Sequence, residues 1–127
     1  MVNRQLQLQE LEVFYILPAL RRDLADAMKN TGRSQKEIAQ LLGVTEAAVS
    51  QYMSSKRASL VKFDKELRAE VNKASAEIQC KDSMRRELQK LMSLVRKNRT
   101  VCKLHEQLEK VDAGCNACFA HETKVKL

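Results

Sequence analysis

SQKEIAQLLGVTEAAVSQYMSSKR, residues 34–57, reads as two short helices around a tight turn. Ser34 is placed to cap the first helix, and Glu37, three residues on, completes a capping box. Ile38, Leu41 and Leu42 form that helix's inward stripe, and Gly43 ends it. Thr45 caps the second helix, where Ala48, Val49 and Tyr52 can pack inward while Glu46, Ala47, Ser50 and Gln51 point away. Ala39 is small where the two helices cross, Gly43 permits the turn, and Ile38, Leu42, Val44, Val49 and Tyr52 set the crossing angle.

Upstream, Leu20, Leu24, Ala27 and Met28 repeat at helical spacing. Pro18 suits a first turn and Thr31-Gly32 a stop, which predicts a helix over residues 17–30. Residues 5–16 are apolar with mixed periodicity, so their spacing leaves the structure open. Downstream, Phe63, Leu67, Val71, Ala74 and Ile78 fall on one helical face. Met84, Leu88, Leu91 and Val95 make a second stripe, and Val101, Leu104, Leu108 and Val111 a third. With three Gly, one Pro and no Trp in 127 residues, the chain has the composition of helices. The expectation is an all-α fold of five or six helices, divided into a helix-turn-helix domain over residues 1–60 and a helical, cysteine-bearing region over residues 61–127.

The formal net charge of +7 favours polyanionic partners. Residues 1–60 hold 8 Lys+Arg against 6 Asp+Glu, and residues 61–127 hold 15 against 10, so neither half is a basic tail. The longest apolar run, Val13 to Leu20, contains Pro18 and is far too short to span a bilayer, so a cytoplasmic protein without a membrane partner is expected. In that compartment thiols stay reduced, which makes metal ligation or redox sensing the expectation for Cys80, Cys102, Cys115 and Cys118.

The 34–57 stretch resembles the repressor and Cro type of helix-turn-helix, the XRE-like family, over residues 17–60. The longer LPALRRDLADAMKNTGRSQKEIAQLLGVTEAAVSQYMSSKR is similar to small archaeal regulators in which the reader precedes a cysteine-containing C-terminal region. The resemblance implies double-stranded DNA as partner, with the second motif helix in the major groove. It places Gln35 where the family braces the reader and touches phosphate, and Thr45, Glu46, Ala47, Ser50 and Gln51 at groove-facing positions. Gln51 is the base reader of choice, since Gln bonds adenine bidentately. Ser54, Ser55, Lys56 and Arg57 offer phosphate contacts. For Lys56 and Arg57 an ordinary solvated helix end is an equal reading.

Cys115-Asn-Ala-Cys118, preceded by Gly114, is a CxxC knuckle. With thiolates from Cys80 and Cys102 it makes a four-cysteine set for an iron–sulfur cluster, whose iron favours soft ligands. The alternative is zinc held by Cys102, His105, Cys115 and Cys118, with His121 a further candidate. Cys80 and Cys102 also suit plain burial as small apolar residues. The basic residues Lys81, Arg85 and Arg86 near Cys80, and Arg96, Lys97, Arg99 and Lys103 near Cys102, would lower thiol pKa values. A solvated face explains them equally.

No phosphate loop, HExxH or triad pattern occurs, so an enzyme is not expected. The combined expectation is a transcriptional regulator that senses redox, oxygen or iron–sulfur status, with a small iron–sulfur electron carrier as the contrasting class. The amphipathic C-terminal helices are assigned to a homodimer, because paired readers gain affinity from half-sites one helical turn apart.

Overall fold

The computed structural model describes residues 6–108; the knuckle residues Cys115 and Cys118, with Val111 and His121, lie outside them. The described residues are all-helical, as the composition implies. In chain order they form α1 (Leu8–Leu11), a π-helical turn (Glu12–Ile16), α2 (Leu17–Asn30), α3 (Gln35–Leu42), α4 (Glu46–Ser54), α5 (Lys56–Ser59), α6 (Lys65–Glu77), α7 (Lys81–Lys97) and α8 (Thr100–Leu108). Among them, no helix is long and apolar enough to cross a membrane.

Residues 8–30 run as one helical rod, which the mixed spacing of residues 5–16 left open. The cause of that ambiguity is the π turn. Pro18 lacks an N–H, and in a regular α-helix its ring would collide with the carbonyl four residues earlier. The chain widens by one residue just before it, with the Leu17 N–H bonding the Glu12 carbonyl, and so carries Pro18 into α2 without a break. The widening also resets the helical period, which explains why no single 3.6-residue stripe fits this stretch.

Helix α2 is the axis of the fold and touches the π turn and α3, α4, α5 and α6. Its Ala19, Leu20, Leu24 and Met28 have no exposed surface. Full burial of each of these Leu and Met side chains contributes about 1.5–3 kcal/mol relative to exposure, before chain entropy is set against it. Arg22 ties α2 to the turn after α5, its Nη1 donating to the Ala58 carbonyl at 2.6 Å and its Nη2 to the Val61 carbonyl at 3.5 Å.

The stripes of α6 to α8 close onto this axis. Leu67, Val71, Ala74 and Ile78, then Met84, Leu88, Leu91 and Val95, then Val101 and Leu104, all belong to one core cluster with Leu20 and Leu24 of α2 and Val49 of α4. The core does not break at residue 60. These stripe residues are buried inside the single chain, with α2 and α6 packing directly. An ion pair closes the rod onto the far end, with Arg96 of α7 donating from Nε to Glu12 Oε2 at 2.6 Å and from Nη2 to Oε1 at 2.9 Å.

Candidate nucleic-acid interface

The helix pair forms for the local reasons its residues suggest. The Ser34 hydroxyl accepts from the Glu37 N–H at 3.2 Å and the Thr45 hydroxyl from the Ala48 N–H at 3.0 Å, so each helix starts on a side-chain cap. Gly43 closes α3 at φ +71°, a left-handed conformation that costs an L-residue energy even though a Cβ there would meet nothing within 4 Å. Ile38, Ala39, Leu42 and Val49 are buried between α2, α3 and α4. The outer face of α4 is left to Glu46, Ala47, Ser50, Gln51 and Ser54, all exposed.

Gln35 braces the pair. Its Nε2 donates to the Glu46 carbonyl at 3.1 Å and to the Ser50 hydroxyl at 2.9 Å, joining the start of α3 to the first two turns of α4. A side-chain amide has only two N–H donors, so both serve the brace, and what Gln35 retains for an incoming phosphate is its main-chain N–H in the first turn of α3. Ser50 accepts from Gln35 and keeps its own O–H to donate. The Gln51 carbonyl accepts from the Ser54 hydroxyl at 3.5 Å, but its side-chain amide makes no hydrogen bond among the described residues, which leaves both ends of that amide available.

The basic end of the motif is more constrained than its sequence suggests. Ser54 turns its hydroxyl back to the Ser50 carbonyl at 3.2 Å, and Ser55 caps α5 by accepting from the Ala58 N–H at 3.1 Å. The Arg57 guanidinium lies over the Phe14 ring at 5.5 Å and the Tyr15 ring at 6.0 Å, a cation–π contact that fixes where its charge sits. Lys56 is exposed and has no ion pair among the described residues. Arg21, over the Tyr52 ring at 5.8 Å, supports the inner side of α4. The cation–π contacts of Arg57 were not legible in the sequence, since Phe14 and Tyr15 lie some forty residues away and on the stretch whose period was ambiguous.

The cysteines separate. Cys80 is exposed at the N-cap of α7, whereas Cys102 is half-buried in the first turn of α8, its N–H bonded to the Arg99 carbonyl at 3.0 Å. Between them stands the whole of α7, whose 17 residues at about 1.5 Å each span about 25 Å. Cys80 therefore stands before the first residue of α7 and Cys102 beyond its last, so a centre using both thiolates would have to bring them together across that helix. Cys102 and His105 are three residues apart on α8 and share a face. Among the described residues no group of three or more His, Cys, Asp or Glu side chains is placed to hold a metal ion.

Cys80 instead sits in a capping arrangement. The Ser83 hydroxyl accepts from the Gln79 and Cys80 N–H groups, each at 2.9 Å, and lies 3.5 Å from the thiol. Hydrogen bonding to the Ser83 side chain and then to the main chain at the start of α7 lowers the thiol below its ordinary value, against the opposing charge of Asp82.

No family model, curated protein or solved structure matches the chain.

Proposed function

We propose that the chain is a sequence-specific regulator of transcription that binds double-stranded DNA with the α3–α4 pair acting as a helix-turn-helix of the XRE-like kind. The observation that carries this reading is the combination of a braced helix pair with an α4 whose outer face is polar, exposed and, at Gln51, unengaged. A helix presented in this way can enter the major groove N-terminus first. Gln51 and Ser50 then face base edges, Ala47 offers a methyl to thymine, and Lys56 with Arg57 and the Gln35 main chain meets phosphates.

Selecting a preferred duplex from random sequence and titrating it by fluorescence anisotropy tests the proposal. Gln51→Ala weakens the selected site by about 1–3 kcal/mol and flattens the preference, while Lys56→Ala weakens selected and random duplexes alike. A preference unchanged in the Gln51 variant removes that residue from base reading, and no preference at all removes the reading itself.

For the C-terminal region, the distance between Cys80 and Cys102 favours the second metal reading, zinc held by Cys102, His105, Cys115 and Cys118. In metal analysis of the purified protein, Cys80→Ser leaves zinc content unchanged and His105→Ala lowers it. Equal retention in both variants defeats this assignment. A homodimer on DNA remains part of the proposal, but it would have to use a surface other than the buried stripes.

A further inference from the structure

A cavity of about 450 Å³ opens between the end of α2, the start of α3 and the inner flank of α4. Its floor is apolar: Ile38 and Val49 are buried, and Met53, 43% exposed, overhangs it as one of the few large apolar side chains left open among the described residues. Its rim is cationic, formed by Lys29 and Arg33. The Arg33 Nη1 atom is buried and has no hydrogen-bond partner, and Lys29 forms no ion pair among the described residues. Arg33 as a whole is half-buried, so its other guanidinium N–H groups can offer charge-assisted hydrogen bonds to a carboxylate or similar anion in the cavity that it lines.

We propose that this cavity is an effector site for a small organic anion with an apolar body, which displaces DNA when it binds. The volume lies within the range of small-molecule sites. Charge complementarity selects an anion, and the floor selects its body. A bare phosphate, including one of a DNA backbone, has nothing to bury against Ile38, Val49 and Met53, whereas an arylalkyl carboxylate covers them while its head reaches Lys29 and Arg33. Gln35 and Ser50 line the same cavity. An occupant therefore lies against the brace that holds α4 and crowds the face by which α4 would approach a duplex. This regulatory half rests on the DNA-binding reading above; the binding half does not.

The test uses the full chain without DNA, with phenylbutyrate as probe and its neutral amide, acetate and inorganic phosphate as comparisons. Isothermal titration should show saturable binding of phenylbutyrate. The amide should bind about tenfold more weakly through loss of the charge-assisted bonds, and acetate and phosphate more weakly still through loss of the apolar contact. Amide shifts should centre on Gln35, Val49, Ser50 and Met53. Arg33→Gln and Lys29→Gln, at partly exposed positions, should each weaken phenylbutyrate, and Met53→Ala should weaken it with both cations intact. Absence of saturable binding, phosphate binding as tightly as phenylbutyrate, or shifts centred on α6 and α7 overturns the site. With the selected duplex, saturating phenylbutyrate should lower DNA affinity about tenfold or more, within the usual span of allosteric coupling. Unchanged DNA affinity overturns the effector role. A protein that binds phenylbutyrate but no duplex leaves the site standing and removes the proposed function instead.

Discussion

Between Ser34 and Ser54 the chain is organised by neighbours a few residues away: Ser34 with Glu37, Gly43 with the end of α3, Thr45 with Ala48. From α6 to α8 the faces have the same apolar spacing, yet their partners lie across the molecule on α2 and on one another. The first region is specified locally and the second by what it packs on. A local signal survives being read one residue at a time; a face says only that it must be covered.

The sharpest way to break that contrast is Leu67→Ala. Leu67 is 1% exposed in the core shared by α6 and α2, and removing it should cost about 2–5 kcal/mol through lost burial and a residual cavity. Since the core is continuous, hydrogen exchange at Val49 on α4 should accelerate with that at Val71 on α6. An α4 whose protection is untouched would mean that the two regions fold as separate units.

A smaller effect probes the local side. Gly43→Ala places a Cβ in open space but in a left-handed conformation, so the expected cost is about 1 kcal/mol of strain with no packing loss. Urea unfolding measures it, and a loss of several kcal/mol would show that the turn is set by packing rather than by backbone freedom.

The smallest effect belongs to α7. Glu87, buried on α7, is held below the usual carboxylate range first by hydrogen bonding to Arg86 and then by Lys90, with burial opposing both. A depressed folded-state value means that its contribution is present at neutral pH and is lost as pH falls through that value. Stability curves of the parent and of Glu87→Gln should therefore converge toward acid. A gap that widens as pH falls would contradict the sign. Both basic partners are more than half exposed, so the effect should also shrink in salt.

The same contrast explains what the residues made legible. Caps, the Gly43 turn, the α4 outer face and the stripe residues of α6 to α8 followed from spacing. The covering of those stripes did not, because periodicity names a buried face without naming its partner. The mixed pattern before Pro18 concealed a π turn, in which one added residue shifts every later side chain around the rod. The cysteine spacing named candidate ligands without showing where they sit: the 17 residues of α7 stand between Cys80 and Cys102. Gln35 was read for both bracing and phosphate contact, and the count of its amide donors assigns the side chain to the brace.

The Glu12–Arg96 pair joins residues 84 positions apart in sequence, the most widely separated side-chain bond described. Helices α2 to α6 lie inside the loop it closes, with α1 before it and α8 after it. Closing so long a loop carries a large entropy cost and gives no contact until most of the chain is already in place, so on folding this clasp should form late. A contact absent from the transition state acts on the rate of escape from the native basin rather than on the rate of entry. The clasp should thus act as a kinetic latch, lengthening the lifetime of the folded state without changing the rate at which that state is reached.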